Sequence, residues 1–212
     1  MILFLFLLIN FVNSFKINTS FMRHGPTYNN LNKIWTGELD IDLFCDDDII
    51  YNNRFDLILS STQKRCRQTV NNLIFSKVPD IIYNENFNEC GYGSLTGLKK
   101  DYSVFERKLF NKPPKSDLYK SESIVEGGLR AYNAYNKLLS DYVEMVKKDE
   151  YNVLVLSHKN TLKGLWGFLS YEDYILDLEE VDHLKFKDNF IESIKLNPFP
   201  EFDNLEIYNL TD

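Results

Sequence analysis

Three short runs in this chain have the composition of strands buried on both faces: "KINTSFM" (Lys16–Met22), "FDLILSS" (Phe55–Ser61) and "YNVLVLSH" (Tyr151–His158). A sheet open to water on one side would alternate apolar and polar residues, whereas these runs are nearly continuous, the pattern of a parallel sheet covered on both sides. Helical segments follow two of them. One is Thr62–Phe75, capped by Ser60 or Ser61, with Cys66, Val70, Leu73 and Ile74 along its buried side. The other is begun by Asn160 or Thr161 and turns Leu162, Leu165, Trp166 and Leu169 inward. Between them, Ser121–Lys148 carries Val125, Leu129, Tyr132, Leu139, Val143 and Val146 at helical spacing, despite Gly127 and Gly128 near its start. Strand followed by helix, repeated, predicts an α/β fold of three layers, a mostly parallel sheet with helices on both faces. "NKPPKSD" (Asn111–Asp117) reads as a loop, and the tail Tyr171–Asp212 as holding one or two short strands.

At 212 residues, 44% of them hydrophobic and 15% aromatic, the chain can bury one core, so residues 16–212 are expected to form a single domain. A net charge of −7 repels nucleic acid and anionic membranes, so any anionic ligand must be met by local positive charge. The acidic cluster Cys45–Asp48 reads as solvated loop, because nothing in sequence completes it as a metal site. Cys45, Cys66 and Cys90 are odd in number and lack C-x-x-C spacing, which predicts free buried thiols and, weakly, a reducing compartment. The apolar run "MILFLFLLINFVNSF" is too short to span a bilayer. It reads either as a signal peptide cleaved after "VNS" or as an N-terminal extension, residues 1–15 in both cases. The domain is expected in the cytoplasm, or secreted if that segment is removed.

Polar residues stand at comparable places after the three strands: Arg23, His24 and Gly25 after the first, Arg65 after the second, Ser157 and His158 after the third. The carboxyl ends of strands in an open α/β sheet form the ligand crevice, so two arginines and two histidines would converge there. Guanidinium forks match phosphate oxygens, and a neutral imidazole is a nucleophile near pH 7. Phosphoryl transfer through a phosphohistidine fits that group of residues.

"RHGPTYNNLNKIWTGELDIDL" (Arg23–Leu43) resembles the histidine phosphatase superfamily, and within it the cofactor-dependent phosphoglycerate mutases, in the spacing from the RHG to Asn30 and to Thr36 and Gly37. "SSTQKRCRQT" (Ser60–Thr69) resembles the motif with the second phosphate-binding arginine, here Arg65. "NECGYGSLTGLKK" (Asn88–Lys100) is similar to the mutases' loop. That similarity implies Glu89 as proton donor and acceptor, Tyr92 as a substrate contact and Lys100 as a ligand of a carboxylate or phosphate. "ERKLFNKPP" (Glu106–Pro114) resembles a segment whose two basic residues, here Arg107 and Lys108, bind substrate. "ESIVEGGLR" (Glu122–Arg130) resembles the start of the family's long helix. "SHKNTLKG" (Ser157–Gly164) resembles the motif of the second catalytic histidine, His158, with Lys159 and Asn160 beside the substrate. The resemblance spans Ile17 to about Leu169. It departs from the mutases at Gly91, where they commonly carry His, at Lys108 in place of Arg, and in a shorter segment between Lys100 and Arg107.

The resemblance implies that His24 carries the phosphoryl group while Arg23, Arg65, Asn30 and His158 hold it. Two arginines and an imidazolium would supply the positive charge without a metal. The expected reaction is interconversion of 2- and 3-phosphoglycerate, primed by 2,3-bisphosphoglycerate. A phosphomonoester or bisphosphate hydrolase with water as acceptor is the nearest alternative, and a silent binding module a more distant one. The partner is a phosphorylated small molecule, with no nucleic acid and no membrane for the mature domain, and with a homodimer allowed for. His183 reads as structural.

Overall fold

The computed structural model of the protein describes residues 15–45, 47–51, 54–100, 121–170 and 202–209. The expectations for residues 1–14, Arg107, Lys108, the loop Asn111–Asp117 and His183 lie outside these residues.

In chain order the elements are β1 (Lys16–Arg23), α1 (Tyr28–Leu31), β2 (Ile49–Tyr51), β3 (Leu57–Ser60), α2 (Lys64–Asn72), β4 (Leu73–Phe75), β5 (Asp80–Tyr83), α3 (Ile124–Val146), β6 (Glu150–Ser157), α4 (Lys159–Leu169) and β7 (Ile207–Asn209). The main sheet runs β5-β3-β6-β1-β7. The first four of these strands are mutually parallel, and β7 pairs antiparallel with β1. A mixed α/β fold with a mostly parallel sheet between helices is therefore what the chain adopts.

The continuous apolar runs explain the layering, because successive side chains of one strand enter opposite cores. Phe21, Leu57, Leu59, Val153 and Val155 face a core shared with α3 and α4, through Tyr135, Leu139, Leu162, Leu165 and Phe168. Met22, Ile58, Leu154 and Leu156 face a second core with Cys66 and Val70 of α2. Each such aliphatic side chain, fully buried, contributes about 1.5–3 kcal/mol. The two glycines that weaken the helical pattern of α3 have packing reasons: a Cβ on Gly127 would collide with Cys90 Sγ, and one on Gly128 would lie 2.6 Å from the Gly164 backbone, so α3 and α4 touch main chain to main chain.

Several local expectations are corrected. The helix predicted over Thr62–Phe75 stops at Asn72, and Leu73–Phe75 pairs in parallel with Ile49–Tyr51, which leaves Ile74 exposed. Its cap is neither Ser60 nor Ser61: Gln63 stands at the N-cap, and the Asp40 carboxylate accepts from the Lys64 amide. α4 is capped at His158 rather than Asn160 or Thr161, whose side chains point elsewhere. α3 starts from a capping box of Ser123 with Glu126, and Leu129 faces solvent. Cys45 is exposed, whereas Cys66 and Cys90 are buried as expected. One strand of the tail, β7, lies among the described residues. No helix among them is long and apolar enough to cross a membrane.

Candidate active site

Register places the site. Arg23 pairs with Ser157 and Ser60 with Leu156, so β1, β3 and β6 end in one row. The amide of His24 then donates to Ser157 O (3.0 Å) and that of Ser61 to Leu156 O (3.1 Å), which extends the row by one residue. His24 and His158 thereby come to 5.0 Å between ring centroids, both buried.

His24 Nδ1 lies 2.6 Å from Gly25 O. A carbonyl only accepts, so Nδ1 carries the proton and Nε2 keeps its lone pair. Burial, followed by the charges of Arg65 and Arg23, holds the imidazole well below its ordinary pKa, so it is neutral at pH 7. A neutral, oriented imidazole among guanidinium groups is a nucleophile for an anionic phosphorus centre.

His158 is fixed differently. Arg65 Nε, a donor only, bonds to its Nδ1 at 3.2 Å, so the ring proton sits on Nε2 and is donated to Ser61 Oγ at 2.9 Å. Ser61 passes its own proton to Asn88 Oδ1 (2.7 Å). Burial and Arg65 push this imidazole too well below its ordinary pKa. The imidazolium expected from sequence is therefore a neutral ring, and the arginines carry the positive charge. The Cys66 thiol, 3.4 Å from His158 Nε2, is raised by burial to about 12 and stays protonated.

Four of the five N–H donors of Arg65 are engaged by the protein: by His158, by Leu39 O (2.7 Å), by Gly37 O (3.0 Å) and by Gln63 Oε1 (2.7 Å). Gly37 thus meets the arginine through its carbonyl, and a side chain there would be strained, because its φ is +50° and a Cβ would stand 2.9 Å from Tyr92. Arg23 is the opposite case. It is half-buried at the same strand ends, yet its buried Nε has no hydrogen-bond partner among the described residues, and neither has Thr36 Oγ1. Buried polar atoms without a protein partner at two predicted site residues leave donors and acceptors for a polar ligand. Asn30 closes a capping box with Thr27, its Oδ1 accepting from the Thr27 amide (3.1 Å) and hydroxyl (3.0 Å).

Glu89 lies half-buried, with Oε1 accepting from the Cys90 amide (3.0 Å) and from Thr161 Oγ1 (3.4 Å). The Tyr92 hydroxyl accepts from Asn160 Nδ2 (2.7 Å), and the ring lies 4.8 Å from that of Trp35. Lys100 Nζ sits 5.0 Å from the centre of the Trp35 ring. Burial, then Arg23, lowers its pKa while Glu89 raises it, and Lys159 at the start of α4 lowers it further, so these four charges share one region. A cavity of about 880 Å³ is lined by Glu89 with Glu38, Asp40, Thr62, Asn88 and Glu122, and not by Arg23, His24, Arg65 or His158. Among the described residues no group of three or more His, Cys, Asp or Glu side chains could hold a metal.

Sequence reasoning overlooked Gln63, Asn88, Thr69 and Trp35. Gln63 joins Gly37 O, Arg65 and the Glu89 amide, and Thr69 Oγ1 accepts from the amide of Gly25 (2.9 Å), the residue whose carbonyl fixes His24. Ser61 and Thr161, helix caps by their place in the sequence, bond His158 Nε2 and the Asn88 carbonyl.

The family model of the histidine phosphatase superfamily (branch 1) matches residues 48–188, a stretch with Arg65, Glu89 and His158. The chain is 30% identical over 171 residues to the 2,3-bisphosphoglycerate-dependent phosphoglycerate mutase of Rhizobium johnstonii, covering 68% of this chain and 75% of that protein. It is 27% identical over 168 residues to the enzyme of the same name from Cytophaga hutchinsonii, covering 68% and 73%. Among solved structures, the mycobacterial glucosyl-3-phosphoglycerate phosphatase superposes with a TM-score of 0.60 at 16% identity, over 91% of this chain and 88% of that one. Mycobacterial hydrolase 1 gives 0.59 at 16% identity, over 91% and 87%. At such identities the structural likeness concerns the fold.

Proposed function

This chain belongs to the histidine phosphatase superfamily (branch 1), enzymes of phosphotransfer or hydrolysis on phosphorylated small molecules, and we propose that it is a phosphomonoesterase working through His24. The observation that carries this reading is the buried, neutral imidazole with its proton committed to Gly25 O. In this reading Nε2 attacks phosphorus, the P–O ester bond breaks, and a protonated Glu89 gives its proton to the leaving oxygen. Water then attacks the phosphohistidine, Glu89 recovers a proton from it, and inorganic phosphate leaves with His24 neutral again. Arg23, with its unpartnered Nε, and the remaining donor of Arg65 stabilise the equatorial oxygens, while His158 holds the Arg65 plane. Glu89 also lines the cavity, which brings its carboxyl within reach of solvent water. Among the described residues the cavity wall is rich in carboxylates, and the one guanidinium there, Arg130, is paired with Glu122.

A second reading, the phosphoglycerate mutase, is favoured by Lys100 on Trp35 beside Arg23 and by the similarity to proteins of that name. There Lys100, with Arg107 and Lys108, anchors the far anionic group, Asn30, Thr36, Tyr92, Lys159 and Asn160 line the substrate, and the phosphohistidine returns its group to the neighbouring hydroxyl. The primer 2,3-bisphosphoglycerate would lie between the His24 cluster and Lys100. Phosphorus NMR of the protein with 3-phosphoglycerate and a trace of that primer separates the two. Inorganic phosphate alone supports the hydrolase, primer-dependent 2-phosphoglycerate supports the mutase, and no turnover of these or of p-nitrophenyl phosphate overturns both.

A further inference from the structure

The early turns of α3 are not used by the chemistry above, yet they hold the best-bonded guanidinium outside the strand ends. Arg130 grips Glu122 with two parallel bonds, Nε to Oε1 at 2.7 Å and Nη2 to Oε2 at 2.8 Å. Its other donors turn to one short stretch of chain: Nη1 to Asn86 O at 2.5 Å, and Nη2 to Asn88 O at 2.8 Å, with Glu89 O at 3.4 Å. Thr161 of α4 adds a bond to the same Asn88 carbonyl (2.8 Å), and the Asn88 side chain faces the opposite way, to Ser61 and Thr62. The peptides on the N-terminal side of Glu89 are thus held from α3, while the Glu89 amide is held from Gln63 (3.3 Å). A planar fork that serves a carboxylate and carbonyls at once cannot be replaced by the point charge of a lysine.

We propose that Arg130, with Glu122 as its counter-ion, is a positioning residue that fixes Glu89 where it meets the leaving oxygen. This rests on reading Glu89 as the proton donor, and it adds that the main chain from which that carboxyl projects is held by α3, while the Cys90 amide and Thr161 hold the carboxyl itself. Misplacement by about 1 Å is enough to lower such a transfer strongly.

The test compares an alkyl phosphomonoester, whose leaving oxygen needs a proton, with p-nitrophenyl phosphate, whose phenolate leaves without one. Glu89→Gln should lower kcat/KM for the alkyl ester by about 100-fold or more and for the aryl ester by about threefold. Arg130→Met and Arg130→Lys should show the same selectivity at smaller size, about 10- to 30-fold against threefold or less, with phosphoenzyme formation from the aryl ester retained. Glu122→Gln, which keeps one acceptor for the fork, should give a weaker version in a chain that melts close to wild type. Equal losses on both esters, or no loss on either, in folded Arg130 variants would overturn the positioning role. If Glu89→Gln itself treats the two esters alike, the assignment of Glu89 fails first and takes this inference with it.

Discussion

At the ends of β1, β3 and β6 position is a property of the backbone: Arg23, His24, Ser61 and His158 stand together because parallel strands stop in one register row. Across the site the chain from Glu85 to Lys100 has two short 3₁₀ turns and no strand, and Glu89 is held by side chains from α2, α3 and α4. The proposed nucleophile is therefore built into the sheet, whereas the proposed acid depends on side chains from other elements and on the Cys90 amide beside it. A site divided in this way should lose function in two distinguishable manners, chemistry alone at the strand ends and substrate-dependent loss on the loop.

The sharpest cut is His24→Ala. It should abolish the acid-labile phosphoenzyme and lower turnover of every phosphomonoester by about 10⁴-fold or more, without regard to leaving group. Labelling with a radioactive substrate followed by acid and alkali treatment checks it. A phosphoenzyme of unchanged amount in this variant would remove His24 from the strand-end cluster's chemistry.

Arg23 and Arg65 then test how far burial and catalysis can be separated within that cluster. Arg65→Met leaves Leu39 O and His158 Nδ1 without their donor and Gly37 O with the Gln63 amide alone, so it should cost about 2–3 kcal/mol of stability as well as about 100-fold in kcat. Arg23→Met removes a guanidinium whose Nε has no partner among the described residues, so a similar loss of kcat should come with a melting temperature close to wild type. Thermal melts beside kinetics decide it, and equal destabilisation in both would mean that the two arginines play one role.

The paired neutral imidazoles also predict an acid sensitivity. Both are depressed below their ordinary pKa in the folded chain, so the unfolded chain takes up protons that the native chain refuses as pH falls below about 6.5. Stability is full above that pH and declines toward the lower folded values, with a limiting slope of about 1.4 kcal/mol per pH unit for each histidine. Melting followed from pH 7.5 to 5 should show it, and His158→Gln should remove about half.

What could be read in the sequence and what could not divides along the same line. The strands were legible because burial on both faces writes a continuous apolar run, and the strand-end residues because parallel topology brings those ends together. The end of α2 was not: Leu73–Phe75 suits a helix as well as a strand, and its partner Ile49–Tyr51 is decided only in three dimensions. Ser61 and Thr161 look like caps by position, but their hydroxyls serve His158 and the Asn88 carbonyl instead. Gln63 and Arg130 carry no local signal, because each joins groups that only the fold makes neighbours. Trp35 could have been suspected from "IWTG" beside Thr36, an aromatic next to a predicted ligand residue.

The smallest effect tests the loop side, at Lys100. Its ammonium lies over Trp35, half-buried, with Arg23 and Lys159 pressing its pKa down and Glu89 pressing it up. A cation held at that cost is stabilised when an anion joins it, so its contribution belongs to substrates with a second negative group. Lys100→Ala should raise KM for phosphoglycerate about tenfold, the loss of one partly screened charge contact, with kcat little changed. For p-nitrophenyl phosphate, which has no far anion, KM should move by less than about twofold. If the variant instead lowers kcat for both substrates alike, Lys100 acts on the phosphoryl group itself, and the division into a strand-borne transfer end and a loop-borne recognition end fails at its simplest point.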